Sequence, residues 1–247
     1  MSALLEFREV TKRFRDGLRP LAVLDRVSFE LHEGEILGVL ASRRAGKTTL
    51  LRLASGLDTP DDGEVLWRGR SLSKLRLDQR AHTRRHGGIA LVRGDSRLGD
   101  GRLAIEHVAM PLYSEGLTIA RAEDCARRAL HDVDASELAY VSVARLGLGE
   151  RLRVELARAI AREPGLLLVD EPAVITKPGE AREMYTLLHA LPKRIGCSLV
   201  IASEEVAALR GVSRIRIMSL DGGRLYSADS RRKVISLSER RGGLGVS

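Results

Sequence analysis

An apolar run from Glu35 to Ala41 passes directly into Ser42-Arg43-Arg44-Ala45-Gly46-Lys47-Thr48-Thr49, and a helical pattern opens at Lys47 and continues to about Ser55. Buried strand, glycine-containing turn, helix: this is the context a phosphate-binding loop requires. Backbone N–H groups of such a turn and the positive end of the helix macrodipole face one small volume, where an anion is stabilised. Lys47 can then reach the β and γ phosphates of a nucleotide, and the Thr48 hydroxyl can ligate magnesium. The usual pattern G-x-x-x-x-G-K-[ST] has Ala41 at its first position. Two readings therefore stand, a nucleotide-binding loop or a turn that keeps its shape without its ligand. Arg43 and Arg44 occupy places where small residues let the backbone close on phosphate. They narrow the cradle, donate to phosphate, or point to solvent.

A chain of 247 residues is long enough for one large α/β domain with an inserted subdomain. Leu4 to Val10 and Val23 to Leu31 alternate like half-buried strands. Pro60-Asp61-Asp62-Gly63 is a turn in which Pro sets φ and Gly supplies positive φ, and the strand Glu64 to Trp67 after it suggests a hairpin in an antiparallel layer. From Leu103 to Arg162 the pattern is helical, with Thr118 as an N-cap and Ala122, Ala126, Ala129 and Leu130 on one face. Gly165 to Val169 and Cys197 to Ala202 are short apolar runs of the kind buried parallel strands show, and Gly179 to Leu191 between them is an amphipathic helix. The expected organisation is a domain over 1–230, with a helical subdomain inserted at about 94–162, and a basic tail over 231–247. That tail is either a solvated end or a weak contact with a membrane surface.

Several classes are disfavoured. No apolar run reaches the roughly 18 residues a membrane-spanning helix needs, and Met1 to Val10 lacks the basic-then-apolar order of a signal peptide, so a cytoplasmic location is expected. Aromatic residues are 3% of the chain, too few for the stacking platforms of single-stranded nucleic-acid binding, so the net charge of +8 is not assigned to a nucleic-acid partner. Cys125 and Cys197 match no metal spacing and read as ordinary buried residues.

Leu166-Leu167-Leu168-Val169-Asp170-Glu171-Pro172 carries a pair of carboxylates at the end of an apolar strand, and Leu146-Gly147-Leu148-Gly149-Glu150 opens a helix containing Arg153-Val154 and Ala157-Arg158-Ala159. Together with the phosphate loop and Phe14, these motifs occur in the order found in the ATP-binding cassette (ABC) ATPases, which the chain resembles from about Leu4 to Tyr226. The resemblance implies an α/β P-loop NTPase with a RecA-like core, an antiparallel β subdomain and an inserted α-helical subdomain. It implies ATP and magnesium as ligands, Phe14 stacked on adenine, and Ser42, Arg43, Arg44, Ala45, Gly46, Lys47, Thr48 and Thr49 around the phosphates. Thr48 and Asp170 would hold magnesium, and Glu171 would orient and activate the attacking water. These segments are expected to meet at the ends of neighbouring parallel strands.

Against the family pattern several positions are altered. In the signature, Gly147 stands for the serine that meets ATP on the opposite subunit and Leu148 for a glycine; Gly149 and Glu150 are regular. Arg93 replaces a glutamine, Lys177 falls near an aspartate, and Glu204 replaces the switch histidine. Either these are drift in a subunit whose partner carries the work, or Arg93 and Glu204 form an ion pair across the γ-phosphate region. The resemblance thus implies an ATP-binding subunit with weak turnover of its own, paired with a second, more regular ABC ATPase subunit and with transmembrane permease subunits at the cytoplasmic face of the membrane. The rival function is a regulatory nucleotide-binding module without transport activity. Glu106-His107-Val108-Ala109-Met110-Pro111-Leu112 is similar to a stretch of the lipoprotein-release, macrolide-export and cell-division cassettes, which points to lipid or cell-envelope cargo.

Overall fold

The computed structural model describes residues 2–16, 19–85, 87–94, 101–172, 178–206, 209 and 215–227. Lys177 and the tail 231–247 lie outside them. In chain order the elements begin with β1 (Leu5–Asp16), β2 (Arg19–Leu31), β3 (Ile36–Leu40), α1 (Lys47–Ala54), β4 (Asp62–Trp67), β5 (Arg70–Ser71), α2 (Leu77–His82) and β6 (Ile89–Arg93). Then come α3 (Ala104–Tyr113), α4 (Ile119–Asp132), α5 (Leu148–Ile160), β7 (Leu166–Asp170), α6 (Pro178–Ile195), β8 (Ser198–Ser203), β9 (Ile215–Asp221) and β10 (Arg224–Ser227).

The apolar runs form the middle of a six-stranded sheet of order β10-β9-β3-β8-β7-β6, parallel except where β10 pairs with β9. Side chains alternate across a strand, so each central strand supplies two cores. Leu167, Val169, Leu199 and Ile201 face one core, which holds the buried residues of α3 to α6. Leu166, Leu168, Val200 and Ala202 face the other, with Leu50, Leu51 and Leu53 of α1 and Leu5, Phe7, Leu31 and Val65 of the second sheet. Burial on both faces is why these runs are continuously apolar rather than alternating. Each fully buried leucine or valine contributes about 1.5–3 kcal/mol, and every residue of β7 is buried. The strand that ends in Asp170 is therefore held from both sides.

The second sheet is antiparallel, of order β2-β1-β4-β5. Its first hairpin is longer than the alternation predicts, because past the Lys12–Leu24 pair the strands leave the core and carry exposed Arg13, Phe14 and Leu21, with Phe14 opposite Leu21. Pairing there rests on backbone bonds, which leave no hydrophobic period to read. The turn at Pro60 also serves differently from expectation. It joins α1 to β4, whose partner is β1, and the hairpin instead runs from β4 to β5 through Arg68-Gly69. Gly63, at φ 78°, is required where β4 crosses β1, since a Cβ would lie 2.3 Å from the Glu9 carbonyl oxygen. In the helical layer, Thr118 accepts from the Arg121 N–H at 3.5 Å, and Ala122, Ala126, Ala129 and Leu130 are buried as predicted.

Candidate functional site

Strand register brings four C-terminal strand ends side by side: Leu40 lies opposite Ser203, Ala202 opposite Asp170, and Asp170 opposite Arg93. Phosphate loop and Asp170-Glu171 thus converge, but not from neighbouring strands. β8 runs between β3 and β7, and its end carries Glu204 into the gap.

The loop closes as its sequence implies. Gly46 caps α1 with φ 104°, and a Cβ there would meet Val23 Cγ1 at 2.9 Å and the Val23 carbonyl oxygen at 3.0 Å, so glycine is required both by angle and by space. Ala41 is accommodated where glycine is usual. It is not among the positive-φ residues, its N–H donates to the Ser203 carbonyl at 3.1 Å, and its methyl is buried in the core. Arg43 and Arg44 are exposed and line the cavity in front of the loop, Arg44 in the left-handed region at φ 63°. Val23, which touches the loop, lies two residues from Leu21, the cross-strand partner of Phe14. Phe14 is exposed, with the Lys12 ammonium 5.7 Å from its ring centre.

The cavity measures about 340 Å³ and is faced by four cations, Arg43, Arg44, Lys47 and Arg93, and three carboxylates, Asp170, Glu171 and Glu204. Lys47 is buried, and its Nζ lies 2.8 Å from the Ala41 carbonyl, 2.9 Å from that of Ser42, 2.8 Å from Glu171 Oε1 and 3.3 Å from Glu204 Oε1. Burial raises the Glu171 carboxyl above the ordinary range, Lys47 opposes this, and Glu204 and Asp170 add to it. Glu171 also sits in the left-handed region at φ 50°, its N–H held by the Ala202 carbonyl at 2.9 Å. Non-glycine residues in that region are strained and concentrate at functional sites.

Thr48 Oγ1 donates to Asp170 Oδ2 at 2.6 Å. Two oxygen donors so placed fit a hard cation, and with no cluster of three or more His, Cys, Asp or Glu ligands among the described residues, a magnesium ion here would take its other ligands from phosphate and water. Arg93 and Glu204 line the same cavity, as the expected ion pair between them requires; among the described residues Glu204 is paired with Lys47, at 3.3 Å.

Two supports escaped the sequence reading. Gly94 follows Arg93 and donates its N–H to the Asp170 carbonyl at 2.8 Å; a Cβ on it would lie 2.2 Å from the Glu171 carbonyl oxygen. An isolated glycine at a strand end was the available signal. Tyr185 of α6 is hydrogen-bonded through its hydroxyl to Ser203 Oγ at 2.6 Å, and the same Oγ accepts from the Glu205 N–H at 3.0 Å, fixing the turn that presents Glu204. Burial pushes the Tyr185 hydroxyl up to about 12, so it remains protonated. Tyr185→Phe is expected to lower stability by about 1 kcal/mol, the usual worth of one such bond, in urea unfolding. A variant as stable as the wild type would show that Ser203 keeps the turn without it.

Gly147, Leu148, Gly149 and Glu150 lie away from this cavity, in a separate one of about 440 Å³ at the head of α5. The Gly147 N–H donates to Glu150 at 2.8 Å, and Leu148 is 52% exposed. A third cavity of about 620 Å³, between the end of β6 and helices α3 and α5, is lined by six arginines that include Arg85, Arg93 and Arg158, along with Met110 and Pro111.

Residues 24–174 match the family model described as ABC transporter. The methionine import ATP-binding protein MetN of Rhizobium etli is 32% identical over 217 residues, 88% of this chain and 58% of that protein. MetN of Corynebacterium jeikeium is 29% identical over 230 residues, 93% of this chain and 62% of its own length. The chain therefore spans about three fifths of these relatives. Among solved structures, the ATP-binding cassette MJ0796, as a dimer in a post-hydrolysis state bound to ADP and Pi, superposes with a TM-score of 0.78 at 24% identity over 90% of this chain and 96% of that one. CbiO1 of Clostridium perfringens, part of the ABC transporter complex cbiONQ, gives 0.79 at 20% identity over 91% and 87%. At these identities the structures speak for the fold alone.

Proposed function

Because the chain belongs to the ABC transporter ATP-binding family, we propose that it is the nucleotide-binding subunit of a membrane transporter and the less active half of a pair of cassettes. The reading rests on one observation, the meeting of Lys47, Thr48, Asp170 and Glu171 at a single cavity. Cassettes of this family bind ATP with magnesium.

In this reading the backbone of Ser42 to Lys47 and the start of α1 hold the phosphate chain, and Lys47 supplies its charge at the β and γ phosphates. Thr48 and Asp170 hold magnesium, which when bound neutralises charge on the phosphate oxygens. Glu171 positions the attacking water and takes its proton, and its raised affinity for a proton suits a general base. Before a γ-phosphate can reach Lys47, one of the two carboxylates on it, Glu171 or Glu204, must give way. Phe14 stacks on the base, and Lys177 falls in sequence near the family's aspartate.

Gly147, Leu148, Gly149 and Glu150 are assigned to the ATP of a partner subunit. Gly147 brings no hydroxyl there and Leu148 adds bulk, so a homodimer would have two weak sites and a more regular partner is the better fit. The cavity beside Arg93 is the surface for the permease, at the cytoplasmic face of the membrane. Its arginines favour a segment with acidic side chains or free carbonyls. For the type of permease two pointers compete, the stretch Glu106 to Leu112 and the methionine import relatives. The second rests on 217 aligned residues, so an importer-like permease is the one to test first.

Purified from its source, the native assembly is expected to contain multi-span membrane subunits and a second cassette. Asp170→Asn should weaken magnesium-dependent nucleotide binding by about tenfold or more, by loss of a charged ligand. Recovery only in a soluble complex would favour the regulatory module, and nucleotide binding indifferent to Asp170→Asn would remove the magnesium assignment.

A further inference from the structure

An ammonium has three hydrogens to donate, and around Lys47 Nζ the protein already offers four acceptors. Two are carbonyls of the loop itself, at 2.8 and 2.9 Å, and two are carboxylates, Glu171 at 2.8 Å and Glu204 at 3.3 Å. Lys47 is the loop residue that reaches the β and γ phosphates. Glu204 thus occupies, as a tethered anion, a place on Lys47 that an incoming phosphate must contest.

We propose that Glu204 makes this site selective for nucleoside diphosphate over triphosphate, its carboxylate taking the position on Lys47 Nζ that a γ-phosphate would occupy. The inference rests on the nucleotide-binding reading above. A diphosphate is bound by the backbone groups of the loop and the start of α1, and Lys47 meets its β-phosphate while Glu204 stays. A triphosphate must displace Glu204 and bring further negative charge beside Asp170, Glu171 and the displaced carboxylate, all of which face the cavity. Arg43, Arg44 and Arg93 face it too, but they attract either phosphate chain, and the difference between the two is made at Nζ. Of the two carboxylates, Glu204 is the one that moves, since its contact is longer and its side chain is 44% exposed against 21% for Glu171. The consequence is a site that rests in the diphosphate state while a partner site cycles.

The test is displacement of a fluorescent nucleotide from the full chain by magnesium-ADP and by a non-hydrolysable imido analogue of ATP. Wild type is expected to bind ADP about tenfold tighter than the analogue, and Glu204→Gln to tighten the analogue about tenfold while moving ADP by less than about threefold. Glu204→His is the second variant and should shift the preference in the same direction. The wild-type preference should also shrink as salt is raised, because Glu204 is partly exposed. An ADP-to-analogue ratio that is the same in wild type and both variants overturns the role of Glu204 while leaving the nucleotide site standing. Failure of wild type and both variants to bind either nucleotide removes the nucleotide-binding reading itself, and this inference with it.

Discussion

Lys47→Met is expected to abolish measurable nucleotide binding and to lower folding stability by about 3 kcal/mol near pH 8, the low end of what removing one partner from a buried ion pair costs. The low end applies because Glu171 and Glu204 keep some access to water. The loss should depend on pH in a definite direction. Burial already raises the Glu171 carboxyl above its ordinary 4.5, and Lys47 is the group that opposes that rise. Without Lys47 the folded-state value climbs further. An acid that holds its proton more tightly when folded favours the folded state at low pH and loses that advantage as pH rises through the unfolded value toward the folded one. The variant should therefore approach wild-type stability at about pH 4 and fall behind progressively above it, levelling off once Glu171 is ionised in both states. Urea unfolding of both proteins across this range reads the difference directly. A deficit independent of pH would mean that lost packing of the lysine stem, rather than a stranded carboxylate, is responsible.

Gly94→Ala is expected to cost about 2–3 kcal/mol, as forced overpacking does, and to lower the melting temperature by about 5–10 °C for a chain of this size. The added methyl would sit 2.2 Å from the Glu171 carbonyl oxygen and 3.3 Å from that of Asp170. Both neighbours are backbone, so no side chain can rotate away. The strand ends must part instead, and the bond from the Gly94 N–H to the Asp170 carbonyl, 2.8 Å long, is strained or lost. Because that separation moves Glu171 relative to Lys47, nucleotide binding by this chain should weaken along with stability. A melting temperature within about 1 °C of wild type would show that the end of β6 yields without disturbing β7.

The sequence alone determined what is local. The strand, glycine turn and helix over Glu35 to Ser55, the apolar strand ending in Asp170-Glu171, and the α4 cap at Thr118 all depend on a period, a capping side chain or a required φ, and each can be read within about a dozen residues. The resemblance to the ABC family rested on several such segments in one order. What only the tertiary structure decided is which strand ends lie together. A hydrophobic period says that a strand has buried faces but not which strand lies beside it, and β3, β8, β7 and β6 are joined through stretches of chain that carry no record of the sheet order. The insertion of β8 between β3 and β7 brought Glu204 to Lys47 and set Tyr185 beneath Ser203, and the pairing of β6 with β7 pressed Gly94 against Glu171. Those contacts arise from filling two cores on opposite faces of one sheet, an outcome settled by the packing of the whole chain rather than by any window of it.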